Sequence, residues 1–120
     1  SVTALDNLPG RKVPINHVDW EVQRYFQNVL GLQNYLKLNN IKYVMYNALP
    51  PPTIRKNDHH TLYCSIDQRH FFDVDSSQYY YCEQNNIFIS NTDHHPNEKG
   101  IEEWAGMVCK HIDTNKLYEN

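Results

Sequence analysis

The stretch Asn91-Thr92-Asp93-His94-His95-Pro96-Asn97-Glu98-Lys99-Gly100, continued by Ile101, Trp104, Ala105, Val108 and Ile112, decides how this chain is read. The apolar residues after Gly100 recur at helical spacing and predict a helix over 98–112, with Glu98 near its positive end and Lys110 and His111 near its negative end. Upstream, Ile87-Phe88-Ile89 is a short apolar run, long enough for an inner parallel strand. Asp93 and His95 then fall on the connection between strand and helix, where Pro96 restricts the backbone. A neutral imidazole whose other ring nitrogen is held by a carboxylate can accept a proton from a nucleophile. His95 is therefore the candidate general base and Asp93 its orienting acid, with the partial positive charge of the helix N-terminus disfavouring the imidazolium form. The plainer alternative is that Asp93 or Asn97 caps the helix while His94 and His95 are solvated.

Working outward, Val22, Phe26, Val29, Leu30, Leu32 and Leu36 follow helical spacing and predict a helix from Asp19 to Asn39, with Asn16 or Asp19 as its cap and Asn39-Asn40 as a left-handed stop. Ile41-Lys42-Tyr43-Val44-Met45-Tyr46 then reads as a short strand. A helix, a two-residue turn and a strand in succession suggest an α/β crossover and a parallel sheet. Pro50-Pro51-Pro52 takes the chain out of that sheet in an extended conformation. Leu62-Tyr63-Cys64-Ser65-Ile66 reads as either a strand or the start of a helix. Ser76-Ser77 is placed to cap a helix through Tyr79, Tyr80 and Cys82 to Asn85-Asn86. Residues 1–18, with Pro9-Gly10 and Pro14, read as an irregular arm, residues 19–115 as the folded domain and 116–120 as a tail.

The chain has 120 residues, 40% apolar and 12% aromatic, enough for one domain with a modest core. A net charge of -3 with scattered Lys and Arg provides no field for nucleic acid or an anionic membrane, so neither is expected as a partner. No apolar run is long enough to span a bilayer and no signal pattern opens the sequence, which reads as a cytoplasmic protein. Cys64, Cys82 and Cys109 lack paired spacing and are expected as free thiols.

Other candidates for chemistry were weighed against these. Cys64-Ser65 is a candidate nucleophile, but cysteine is among the most buried residue types. Ser1 could serve only by approaching His95 from the chain end. Asp58-His59-His60 and Asp93-His94-His95 are similar triplets of metal-ligating types, so a His/Asp metal site is a second reading. Adjacent histidines on an extended chain point in opposite directions, and each pair would normally supply one ligand. Tyr79-Tyr80-Tyr81 with Phe71-Phe72 could line a carbohydrate or acyl groove, although consecutive aromatics on a helix point around its circumference and at least one must pack inward. Asp67, Asp73 and Asp75 are most simply a solvated or cap-forming loop.

Asp93, His95, Pro96, Asn97, Gly100, Trp104 and Ala105 together resemble the C-terminal block of the SGNH (GDSL-type) hydrolases. In those chains an Asp and a His are followed by Pro-Asn, a Gly and a helix carrying Trp-Ala or Ile-Ala. Leu32-Gln33-x-Tyr35-Leu36, Asn40-Ile41-Lys42-Tyr43-Val44-Met45 and Asn47-Ala48-Leu49-Pro50 look similar to the family's preceding helix and strand. The pattern is also similar to uncharacterised SGNH-like proteins of marine bacteriophages. The resemblance spans residues 22–112, with the specific part in the last twenty.

It implies a flavodoxin-like three-layer α/β/α fold with a short, mostly parallel sheet, and metal-free, cofactor-free hydrolysis of an ester or acylated small molecule or carbohydrate. It also implies location in the host cytoplasm or the virion if the protein is phage-encoded. Two departures stand out. Asp93 lies two residues before His95 where the family usually has three, and no Gly-Asp-Ser-like nucleophile block precedes the first helix. Asn47 and Asn57 follow the wrong strand to be carried over as oxyanion donors. The chain therefore reads as the second half of such a domain, with the nucleophile in a removed N-terminal half or a separate subunit and the sheet completed by a second copy or a partner chain. The alternative is a non-catalytic phage structural or interaction module that keeps part of the fold.

Overall fold

The computed structural model describes residues 17–52 and 59–119, and within these the chain is built from four α-helices and two small sheets. Of the arm expected over 1–18, residues 1–16, with Ser1 and the cap candidate Asn16, lie outside the described residues, as do Asn57 and Asp58, while residues 17 and 18 open the first helix. Helix α1 runs His17–Leu38, so Asp19 sits inside it rather than capping it. Val22, Phe26 and Val29 are buried along one face, as their spacing predicts, while Leu32 is 46% exposed and falls off that face.

Helix α1 ends at Asn39-Asn40. Asn40 takes φ 54°, the Asn40 amide bonds the Lys37 carbonyl at 3.1 Å, and the Ile41 amide bonds the Leu36 carbonyl at 2.9 Å. This is a left-handed stop that satisfies carbonyls otherwise left without donors. Helix α3 (Gln78–Gln84) and helix α4 (Glu98–Thr114) close in the same way at Asn86 (φ 59°) and Lys116 (φ 52°). After those stops the chain turns inward, delivering Ile87 and Leu117 to buried positions.

The strand expected over 41–46 forms only at β1, Met45–Tyr46, parallel to β2, Phe71–Phe72, with Met45 opposite Phe71 and Tyr46 opposite Phe72. The ladder stops there because Asp73 takes φ 51°, which no strand continues. Between β1 and β2 lie the three prolines, helix α2 (His60–Ser65) and a 3₁₀ turn, Gln68–His70. The 62–66 segment is thus helical, ending at the buried Ile66. Val22, Phe26, Val29, Ile66, Phe71 and Val74 form one core, with Met45, Leu62 and Tyr63 packed against it.

Ile87-Phe88-Ile89 does not form an inner parallel strand. Strand β3 (Phe88–Ser90) pairs antiparallel with β4 (Asp93–Pro96), Phe88 opposite Pro96 and Ser90 opposite Asp93, with an irregular register between. A partner just beyond the Asn91-Thr92 turn closes with little loop entropy, whereas an inner strand needs neighbours on both sides. Ile89 is accordingly 59% exposed. Mixed α/β content is therefore present, arranged as one parallel pair and one antiparallel hairpin.

Helix α4 buries Gly100 and Trp104, while Ile101 is 56% exposed and Ala105 is also exposed, so the buried face is rotated from the one expected. Around Trp104 sit Tyr46, Phe72 and Tyr81, at centroid distances of 5.5, 5.1 and 5.9 Å. Among the described residues, no helix is long and apolar enough to cross a membrane.

Candidate functional site

Asp93 and His95 lie on β4, in the hairpin, rather than on a loop opening directly into a helix. Alternate residues of a strand share a face, so a spacing of two brings their side chains together where a spacing of three would separate them. His95 Nδ1 stands 2.5 Å from Asp93 Oδ1, and the same oxygen accepts the His95 backbone N–H at 3.1 Å. The ring bonded to it holds the Asp93 carboxyl below the usual carboxylate range. The turn before Asp93 is shaped by Ser90, whose Oγ accepts the Asp93 and Thr92 amides at 3.1 and 3.3 Å. In a neutral ring, an Nδ1–H donated to Asp93 leaves Nε2 with its lone pair.

The ring is open to solvent, 83% exposed against 45% for Asp93. Among the described residues its ring bonds only Asp93, and no hydroxyl or thiol stands within hydrogen-bond reach of Nε2. His95 nonetheless lines a cleft of about 450 Å³ whose walls include Ala48, Leu49, Tyr79, His94 and Pro96. His94, on the opposite face of β4, packs on Phe88 at 4.5 Å, meets the Tyr79 hydroxyl at 3.3 Å and lies 4.0 Å from Glu83. The two histidines point apart as strand geometry demands, and only His95 bonds Asp93.

The Pro96-Asn97-x-x-Gly100 run has a structural role of its own. Asn97 Oδ1 accepts the Gly100 amide at 2.8 Å as N-cap of α4, and its Nδ2 donates to the Phe88 carbonyl at 3.3 Å. A Cβ on Gly100 would stand 2.6 Å from the Ile87 carbonyl oxygen and 3.1 Å from Cys82 Sγ. Glycine is thus the residue that lets α4 seat against β3 and α3. Asn97 as cap and His95 as a carboxylate-held ring coexist in the same loop and strand.

The remaining candidates disperse. Cys64 is exposed on α2, with Sγ 3.5 Å from His60 Nε2, and does not line the His95 cleft. Cys82 is buried, and burial pushes its thiol up; Cys109 is exposed. Among the described residues no three His, Cys, Asp or Glu groups converge on a point where a metal ion could sit. Of the tyrosines, Tyr79 lines the cleft, Tyr80 is 52% exposed, and Tyr81 packs on Trp104 while donating to Glu103 at 3.2 Å. Asp67 caps the 3₁₀ turn by accepting the Arg69 amide, and Asp75 accepts the Tyr63 hydroxyl at 3.0 Å.

Sequence reasoning passed over the role of Asn47. It is buried, its Nδ2 donates to the Val74 and Ser76 carbonyls at 3.0 and 2.8 Å, and its Oδ1 accepts the Tyr25 hydroxyl at 2.8 Å. The carbonyls of Asn47 and Ala48 accept the Gln78 and Tyr79 amides, so this segment sets the first turn of α3 and with it Tyr79 in the cleft. A polar residue directly after an apolar strand and before Ala-Leu-Pro was the available signal. No family model, curated protein or solved structure matches this chain.

Proposed function

We propose that the chain carries the proton-accepting half of an SGNH-like ester or acyl hydrolase site, with His95 as general base and Asp93 as its orienter. The nucleophile is supplied from outside the described residues, by a further segment or by another chain that also completes the sheet. The substrate is an ester or acylated small molecule taken into the cleft between Leu49, Tyr79 and His95. What supports the reading is one observation, the 2.5 Å Nδ1–Oδ1 contact that leaves Nε2 unbonded at the rim of a cleft. The parallel β1–β2 pair and the strand-then-helix order agree with a flavodoxin-like α/β/α ancestry.

A bare imidazole attacks an activated ester slowly even without a serine, as a nucleophile in its own right. The chain is therefore expected to hydrolyse p-nitrophenyl acetate weakly but faster than its histidines would as free imidazoles, an excess that His95→Ala and Asp93→Asn each remove. Equal rates in wild type and both variants overturn the proposal. The exposure of the His95 ring favours a second reading, a non-catalytic phage structural or interaction module that keeps the pair only for the geometry of the hairpin. That reading predicts no such excess: His95→Ala costs only one exposed imidazole's share and Asp93→Asn leaves the rate unchanged.

A further inference from the structure

A second cleft, of about 440 Å³, lies between the end of α1, the 3₁₀ turn and the chain that follows α4. Lys37, Lys42 and Arg69 line it together with Tyr43 and His70, and Glu119 is its one lining carboxylate among the described residues. In a chain whose net charge is -3, three cations around one concavity are a local reversal of field. Part of this charge serves the fold. Arg69 Nη2 donates to the Asn115 and Lys116 carbonyls at 2.7 and 3.4 Å, at the negative end of α4, and Lys42 Nζ donates to the Tyr118 carbonyl further on at 2.5 Å.

Lys37 lies 3.2 Å from Asp67, whose carboxylate also faces His70 Nδ1 at 2.9 Å and accepts the Arg69 amide, so that acidic group is already satisfied. Each cation keeps further N–H donors that no described atom accepts. Tyr43 forms one wall of the cleft. Its ring stacks on His70 at 4.6 Å, and its oxygen is buried and bonded to no described atom. That oxygen is sealed from solvent, so the ring closes the wall and the donors that face the cleft are those of the cations.

We infer that this cleft binds a small phosphate dianion, free or as a monoester, held by Lys37, Lys42 and Arg69. Arginine and lysine donors suit phosphate oxygens, and the cleft has room for a group of sugar-phosphate size beside the phosphate. The site is separate from the His95 cleft and does not depend on the reading given to it.

The test is a titration of the full chain with inorganic phosphate, and in parallel with glycerol 3-phosphate, at constant ionic strength, followed by amide chemical shifts. Saturable shifts are expected at Tyr43, Arg69 and His70. Lys37→Gln and Lys42→Gln should each weaken binding by about three- to fivefold, as expected for the loss of one exposed charge pair. Lys110→Gln, a charge lost elsewhere on α4, should leave it unchanged. Tyr43→Phe should leave binding unchanged, since its hydroxyl is sealed from the cleft. Tighter binding of the monoester assigns the cleft to a phosphorylated metabolite and equal binding to free phosphate; either outcome supports the inference. Shifts that never saturate, that chloride reproduces, or that Lys110→Gln reduces as much as Lys42→Gln overturn it.

Discussion

His95 is held by Asp93 because the two occupy one face of a short strand, so the spacing of two that departs from the family pattern is the spacing this backbone requires. The Asp93 carboxyl is depressed by its bond to His95. A carboxyl whose folded pKa lies below its unfolded value of about 3.9 contributes stability above that pH and loses it as pH falls through the folded value. The pair should therefore persist down to about pH 4 and open below it, seen as movement of the His95 ring resonances that is absent in Asp93→Asn. The identities of both residues were legible in the sequence. Their geometry was not, because whether i and i+2 meet depends on a strand that was taken for a loop. Asn47 was less legible still, since its partners Tyr25, Val74 and Ser76 are distant in sequence. Truncation by Asn47→Ala strands two carbonyls and a tyrosine hydroxyl in a buried setting and should cost about 2–4 kcal/mol in urea unfolding.

At the level of elements, α1, α3 and α4 were readable because their signals are local, as in the apolar spacing of α1, the Ser77 cap of α3 and the Asn40 and Asn86 stops, whereas α2 stayed open between strand and helix. The sheets were not, because pairing joins distant segments. Met45 meets Phe71 across the whole α2 region, and nothing in the run Ile87-Phe88-Ile89 distinguishes a central strand from one arm of a hairpin. The docking of α4 provides the sharpest check. Gly100→Ala must displace the Ile87 carbonyl or the helix itself and should cost about 1–3 kcal/mol by the penalty of overpacking. Asn97→Ala removes the cap and should cost about 1 kcal/mol. Thermal unfolding of the two variants checks both values, and a neutral Gly100→Ala would show that α4 is not seated against β3 as described.

For the whole molecule, two cores share one chain. Phe71 belongs to the α1 core while its neighbour Phe72 packs on Trp104, so β2 joins them back to back. Trp104→Ala should cost about 3–5 kcal/mol and loosen the hairpin together with α4. Lys37, Asp67 and His70 tie the end of α1 to the 3₁₀ turn: burial alone would raise the Asp67 carboxyl, but the Lys37 and His70 bonds outweigh it and hold the pKa down. By the same sign as for Asp93, this tie contributes above about pH 4 and is lost on acidification, so Asp67→Asn should lower Tm at pH 6 and flatten its fall below about pH 4. The central claim, an imidazole oriented to accept a proton at Nε2, is tested most directly by the nitrogen chemical shifts of the His95 ring. The account predicts a neutral ring protonated at Nδ1 with Nε2 bare, a preference that relaxes in Asp93→Asn. A ring protonated mainly at Nε2, or one whose tautomer ignores Asp93, would contradict it.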